Sequence, residues 1–61
     1  MIDKLKKAQA TGKICGITDR TGEKYNGQVQ CVGKVSVMIF DHNRKERVLL
    51  CHDNIEDVRC G

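Results

Sequence analysis

Apolar and polar positions alternate most regularly over residues 25–41, and the other elements are placed around that stretch. Tyr25, Val29 and Cys31 occupy odd positions, with Gly27 among them, and Asn26, Gln28 and Gln30 occupy the even ones. A period of two predicts a strand over 24–32 with one buried face. Gly33 and Lys34 interrupt the run, and the apolar, β-branched residues that follow predict a further strand over 35–40. Gly27 marks a place where the strand bends, bulges or lets another backbone close.

The pattern extends in both directions. Ile2, Leu5 and Ala8 give a thin helical stripe, so a short helix is expected over about 2–10, stopped near Gly12. A helix of that length is not stable alone and must dock on something. Ile14, Cys15 and Ile17 mark a strand over 13–19, with Gly16 allowing a kink or close approach. Residues 20–23 read as a turn, with Gly22 at its positive-φ position. The wholly polar run 41–46 reads as an exposed hairpin loop. A fourth strand over 47–51 places Val48 and Leu50 on one face and Leu49 on the other. His52-Asp53-Asn54 is a tight turn, and a fifth strand runs to Cys60, anchored by Ile55 and Val58.

One helix followed by five short antiparallel strands with tight connections predicts a mainly β fold: a strongly bent, closed or nearly closed SH3-like barrel. The 61 residues are expected to form one domain, with the barrel over about 13–60. A chain this short buries only about 60% of its unfolded surface. Such domains usually add disulfides, a metal or partner subunits. With one Tyr, one Phe and no Trp, the core must come from Val, Ile, Leu, Met and Cys.

The N-terminal lysines are followed by no apolar segment of the signal-peptide kind, and no run approaches the roughly 20 apolar residues of a membrane span. The expected location is the cytoplasm, with no membrane partner and with thiols reduced. Cys15, Cys31, Cys51 and Cys60 then read first as small buried apolar residues. Disulfides and a zinc site with His52 stay open as alternatives, although no Cys-x-x-Cys occurs. No metal or cofactor is expected.

Charge sharpens the picture at one end only. Lys4, Lys6, Lys7 and Lys13 against Asp3 carry the whole formal excess of +3, and the remaining residues balance. A basic leader on a neutral body is suited to meeting phosphate, or is simply a solvated helix face. No Ser-His-Asp pattern, carboxylate pair or glycine-rich phosphate loop stands out, so an enzyme is not expected.

Three local features group together. Thr21-Gly22 is separated by four residues from Gly27; Gly27-Gln28-Val29-Gln30-Cys31-Val32 is a Gly-Gln run continuing in alternation; Asp53-Asn54-Ile55 opens the last strand. With the order of elements, they resemble the Sm-like (LSm) family, in the layout of its bacterial Hfq branch, over residues 2–60. The resemblance implies a closed ring of about five to seven copies, each joining its fourth strand to the next copy's fifth. Val48, Leu49, Leu50, Ile55 and Val58 are the interface candidates, with Leu49 hidden in that contact. It also implies single-stranded RNA as a partner, in post-transcriptional regulation. Lys34, His52 and Asn54 are candidates near the pore, helped by Lys4, Lys6, Lys7 and Gln9 of the helix. Lys24 matches a lysine of the opposite face.

The chain departs from the family at the base-stacking positions. Val35 stands where the Hfq branch has an aromatic, Thr18 where it has a tyrosine on the other face, and Cys51-His52 where the wider family has Arg-Gly. Stacking without an aromatic or Arg plane forfeits roughly 1–3 kcal/mol per base. The alternative function is therefore a small barrel that regulates by binding protein, without touching RNA.

Overall fold

In the computed structural model, which describes residues 2–60, the chain runs as helix α1 (Ile2–Thr11), strands β1 (Ile14–Asp19), β2 (Lys24–Val32), β3 (Ser36–Asp41) and β4 (Glu46–Cys51), a 3-10 turn (His52–Asn54) and strand β5 (Ile55–Cys60). The five strands form one antiparallel sheet in the order β4-β3-β2-β1-β5. The mainly β architecture behind an N-terminal helix is the one expected. Strands β4 and β5 stand at the two edges of the sheet, so each presents a row of backbone groups unpaired within the described residues.

Two bulges decide which side chains face inward. Val29 pairs with Ile39 and Cys31 with Met38, which leaves Gln30 without a partner. One extra residue reverses the alternation beyond it. Cys31 is therefore exposed, against the period-two expectation, and Val32 packs against the core instead. On β5, Thr18 pairs with Asp57 and Asp19 with Ile55, so Glu56 is skipped. That bulge lets Ile55 and Val58, three residues apart, both point inward. Leu5, Ala8, Cys15, Ile17, Val29, Val37, Ile39, Leu50, Ile55 and Val58 form the core.

The bend of β2 depends on Gly27. A Cβ built there would stand 1.6 Å from the Phe40 carbonyl oxygen, so β3 backbone occupies the space of a side chain. The β1–β2 turn needs Gly22 for a different reason, its φ of +90°. Helix α1 docks on β2 and β5 through Leu5 and Ala8. Gln9 fixes it further, donating to the Gln30 carbonyl at 2.9 Å, at the bulge. Ile2, the third member of the expected stripe, stays largely exposed.

Three boundaries differ from expectation. Strand β1 begins at Ile14 rather than Lys13, and β3 runs one residue later than predicted, leaving Val35 outside it and 73% exposed. The polar run 41–46 is not all loop. Asp41 closes β3 with 0% exposure and Glu46 opens β4. Asp41 is buried because its carboxylate supplies acceptors for the turn: Oδ1 takes the N–H of Asn43 at 2.8 Å and of Arg44 at 3.3 Å, and Oδ2 pairs with the Arg44 guanidinium. Cys15 and Cys60, expected first as separate buried thiols, face each other across β1 and β5 and form a disulfide. Among the described residues no helix is long and apolar enough to cross a membrane, and no group of three or more His, Cys, Asp or Glu side chains converges on a metal position.

Candidate nucleic-acid interface

Seven of the eleven basic side chains line three concavities. The first lies where the start of α1 meets the β2–β3 bend. Ile2, Lys6, Val32, Gly33 and Lys34 line about 230 Å³ there. Two residues far apart in sequence, Lys6 and Lys34, thus share one site. The bend behind them is clamped. Gly33 donates its N–H to Ser36 O at 2.8 Å, and His52 donates its N–H to Val35 O at 2.9 Å. His52 Nε2 lies 2.7 Å from Gly33 O, and a carbonyl only accepts, so Nε2 carries the hydrogen and donates. Nδ1 is buried and without a partner among the described residues. His52 therefore holds the Lys34 loop in place through backbone oxygen.

The second concavity lies along the other side of α1. Lys4, Lys7, Ala8, Thr11, Lys13 and Cys60 line about 250 Å³. Lys4 Nζ donates to Val58 O at 2.8 Å, tying the helix to β5. The third lies over β1, β2 and β5. Gly16, Thr18, Lys24, Tyr25, Asn26, Asp57 and Arg59 are among the residues around its 300 Å³ or so. Gly16 opens its floor, since a Cβ there would meet Asn26 Oδ1 at 3.1 Å.

The candidates from sequence are thus divided. Lys6 and Lys34 meet at the first site, with His52 behind it. Lys4 and Lys7 line the second and Lys24 the third. Gln9 is engaged with Gln30 O, and Asn54, half-buried, accepts the Arg20 N–H on its backbone oxygen at 2.9 Å. Of the interface candidates, Leu50, Ile55 and Val58 belong to the chain's own core and Val48 packs against it, whereas Leu49 is 64% exposed on edge strand β4. Arg59 was not a candidate. Only the β1–β5 register, which sets it opposite Gly16, brings it to the third site.

Next to the third site the polar groups serve the fold. Asp19 Oδ1 accepts the N–H groups of Thr21 at 2.9 Å and Glu23 at 3.0 Å, and Oδ2 accepts from Tyr25 OH at 3.4 Å. The Thr21 hydroxyl is the chief cause that holds the Asp19 carboxyl below the usual carboxylate range. Arg44 lies over the Tyr25 ring, 4.6 Å from its centroid, and pairs with both Asp41 and Glu23. Burial alone pushes Asp41 up, but the Arg44 and turn N–H bonds outweigh it, and its carboxyl also lies below the usual range. Burial and the nearby Asp19 charge raise the Tyr25 phenol, so the ring stays neutral and donates.

Two solved structures are similar to this chain over most of its length. A crystal structure of the pleiotropic translational regulator Hfq superposes with a TM-score of 0.82 at 14% identity, covering 92% of this chain and 90% of that one. An Hfq protein from Anabaena sp. superposes at 0.81 with 18% identity, covering 98% and 93%. No family model and no curated protein matches the sequence. At these identities the likeness is one of fold: the chain has the Sm-like fold in the Hfq layout.

Proposed function

We propose that copies of this Hfq-like barrel join into a ring that holds single-stranded RNA and acts as an RNA-linked regulator. The observation that carries the reading is the pair of open edges. An Sm-like sheet with β4 free on one side and β5 free on the other is complementary to itself, head to tail. Leu49 supports it, because an apolar side chain on an exposed edge strand is a liability in a lone chain and an asset in a contact. Leu50, Ile55 and Val58 face inward, so their strands would contribute backbone to that contact while Leu49 contributes apolar surface. RNA is favoured by Lys6 and Lys34 at one concavity, neither of which forms an ion pair among the described residues. No aromatic lines that concavity, so phosphate rather than base stacking would supply most of the affinity. Copies placed around an axis would repeat the site and multiply a weak affinity. The similar Hfq structure belongs to a translational regulator, and the same sphere of action is proposed here.

The test has two stages. Light scattering coupled to size exclusion, under reducing conditions, is expected to give one species of about five to seven copies. Leu49→Asp is expected to reduce that mass by placing a charge in the strand contact. A monomer in the parent protein would overturn the ring. Titration with single-stranded RNA at several salt concentrations is expected to show affinity that falls steeply with salt. A ring with no RNA affinity even at low salt would overturn the RNA reading and leave a protein-binding barrel.

A further inference from the structure

Cys60 and Cys15 differ in one respect that matters for chemistry. Cys15 is fully buried, whereas Cys60 is half-buried and faces the groove walled by Lys4, Lys7 and Lys13. Among the described residues no carboxylate lines that groove, and neither Lys7 nor Lys13 forms an ion pair. The two sulfurs are partners across β1 and β5, in the closed disulfide state. In a reducing compartment such bonds are mostly transient and redox-sensing.

We propose that Cys60 is a redox site for small anionic disulfides, with Cys15 as its resolving thiol. In the first step the Cys60 thiolate attacks one sulfur of the incoming disulfide. The S–S bond of the oxidant breaks, one small thiolate leaves, and a mixed disulfide forms on Cys60. In the second step Cys15 attacks Cys60 Sγ, its proton passing to the small thiolate as that group departs. The second small thiolate leaves, and the Cys15–Cys60 bond closes. Two protein thiols are oxidised and one small disulfide is reduced to two thiols. Three cations beside Cys60 favour both the attacking thiolate and an oxidant that carries carboxylates. Burial keeps Cys15 from reacting first but leaves it opposite Cys60 to complete the exchange. Closure pins the end of β5, an edge strand, to β1.

The experiment uses reduced protein carrying Cys31→Ser and Cys51→Ser, since both of those thiols are exposed. Oxidation by oxidised glutathione, which is anionic, is compared with oxidation by cystamine, which is cationic. Intact mass follows each reaction, and the same protein in urea gives the reference rates. At low salt the native protein is expected to favour the anionic oxidant by about 10-fold over that reference, with the preference fading at high salt. Lys7→Gln with Lys13→Gln is expected to abolish the preference while the far-ultraviolet circular dichroism stays unchanged. Cys15→Ser is expected to stop the reaction at a mixed disulfide on Cys60. Equal rates for the two oxidants in native protein, or failure of either to close Cys15–Cys60, would overturn the proposal.

Discussion

Arg44 and Lys34 carry the same charge and stand in opposite situations. Arg44 bridges the two hairpin turns: it pairs with Asp41 at the end of β3 and with Glu23 just before β2, and it covers the Tyr25 ring. Each turn has a buried carboxylate at its root, Asp19 in one and Asp41 in the other, accepting turn N–H groups. At the helix end the lysines face open grooves, and among the described residues only Lys4 has a fixed partner, a backbone carbonyl. What fastens that end is apolar docking of Leu5 and Ala8, the Lys4 and Gln9 bonds to backbone carbonyls, and the Cys15–Cys60 bond. Charge thus belongs to the fold at the turn end and is left for partners at the helix end.

The largest effect should come from the one covalent tie. A disulfide across a sequence separation of 45 removes chain entropy from the unfolded state. By the loop-length relation that is worth about 4 kcal/mol, an upper value. Urea unfolding of Cys60→Ser against the oxidised parent measures it. A difference below about 1 kcal/mol would mean that this end is held by docking alone. Next comes Asp41→Ala. It strips the β3–β4 turn of its side-chain acceptor and leaves Arg44 with Glu23 as its one carboxylate partner among the described residues. Breaking a buried pair costs roughly 3–5 kcal/mol, and about 3 is the figure to expect here because Arg44 is partly solvated. Asp41→Asn, which retains one acceptor, should recover part of that loss. If both variants unfold at the same urea concentration as the parent, the turn end is not held by charge.

Acid should act on the same end and not on the other. Asp19 and Asp41 both have folded carboxyls held below the usual carboxylate range. A depressed folded value means that the ionised form is the one the fold stabilises. That stability is complete above the unfolded value and is lost as pH falls through the lower folded values. Thermal unfolding should be nearly flat from neutral pH down to about 4 and should fall below it. Asp19→Asn with Asp41→Asn should lie lower at neutral pH and lose less on acidification. A parent whose stability drops steadily between pH 7 and 5 would point to groups other than these carboxylates.

Much of this arrangement was legible along the chain, because period two and turn chemistry are local. The helix, all five strands and the turn at Gly22 follow from patterns spanning a few residues. Gly27 was legible as a bend, although not that Phe40 O would fill its missing side chain. Cys31 faces out because of a bulge at Gln30, and nothing in the alternation distinguishes a bulged residue from a paired one. Asp41 looked like loop because it lies in a polar run, yet the turn's own N–H groups draw it inside. The meeting of Lys6 with Lys34, and of Arg59 with Lys24, comes from strand register and helix docking. Both are tertiary, and neither leaves a mark at short range.

The smallest effect on stability should come from the lysines, and it divides the two ends most sharply. Lys6→Gln with Lys34→Gln removes two cations that touch no carboxylate among the described residues, so the urea midpoint should move by no more than about 0.5 kcal/mol equivalent. Glutamine keeps the length and polarity, so the groove retains its shape and loses only its field. If the groove holds phosphate, each lysine lost should reduce the slope of log affinity against log salt by about 0.7 for single-stranded RNA. Affinity measured at high salt should then converge on that of the parent. A variant that loses stability as Asp41→Ala does would place these lysines with Arg44, as parts of the fold. A stable variant with an unchanged salt slope would move the RNA contact to the Lys24 and Arg59 side of the sheet.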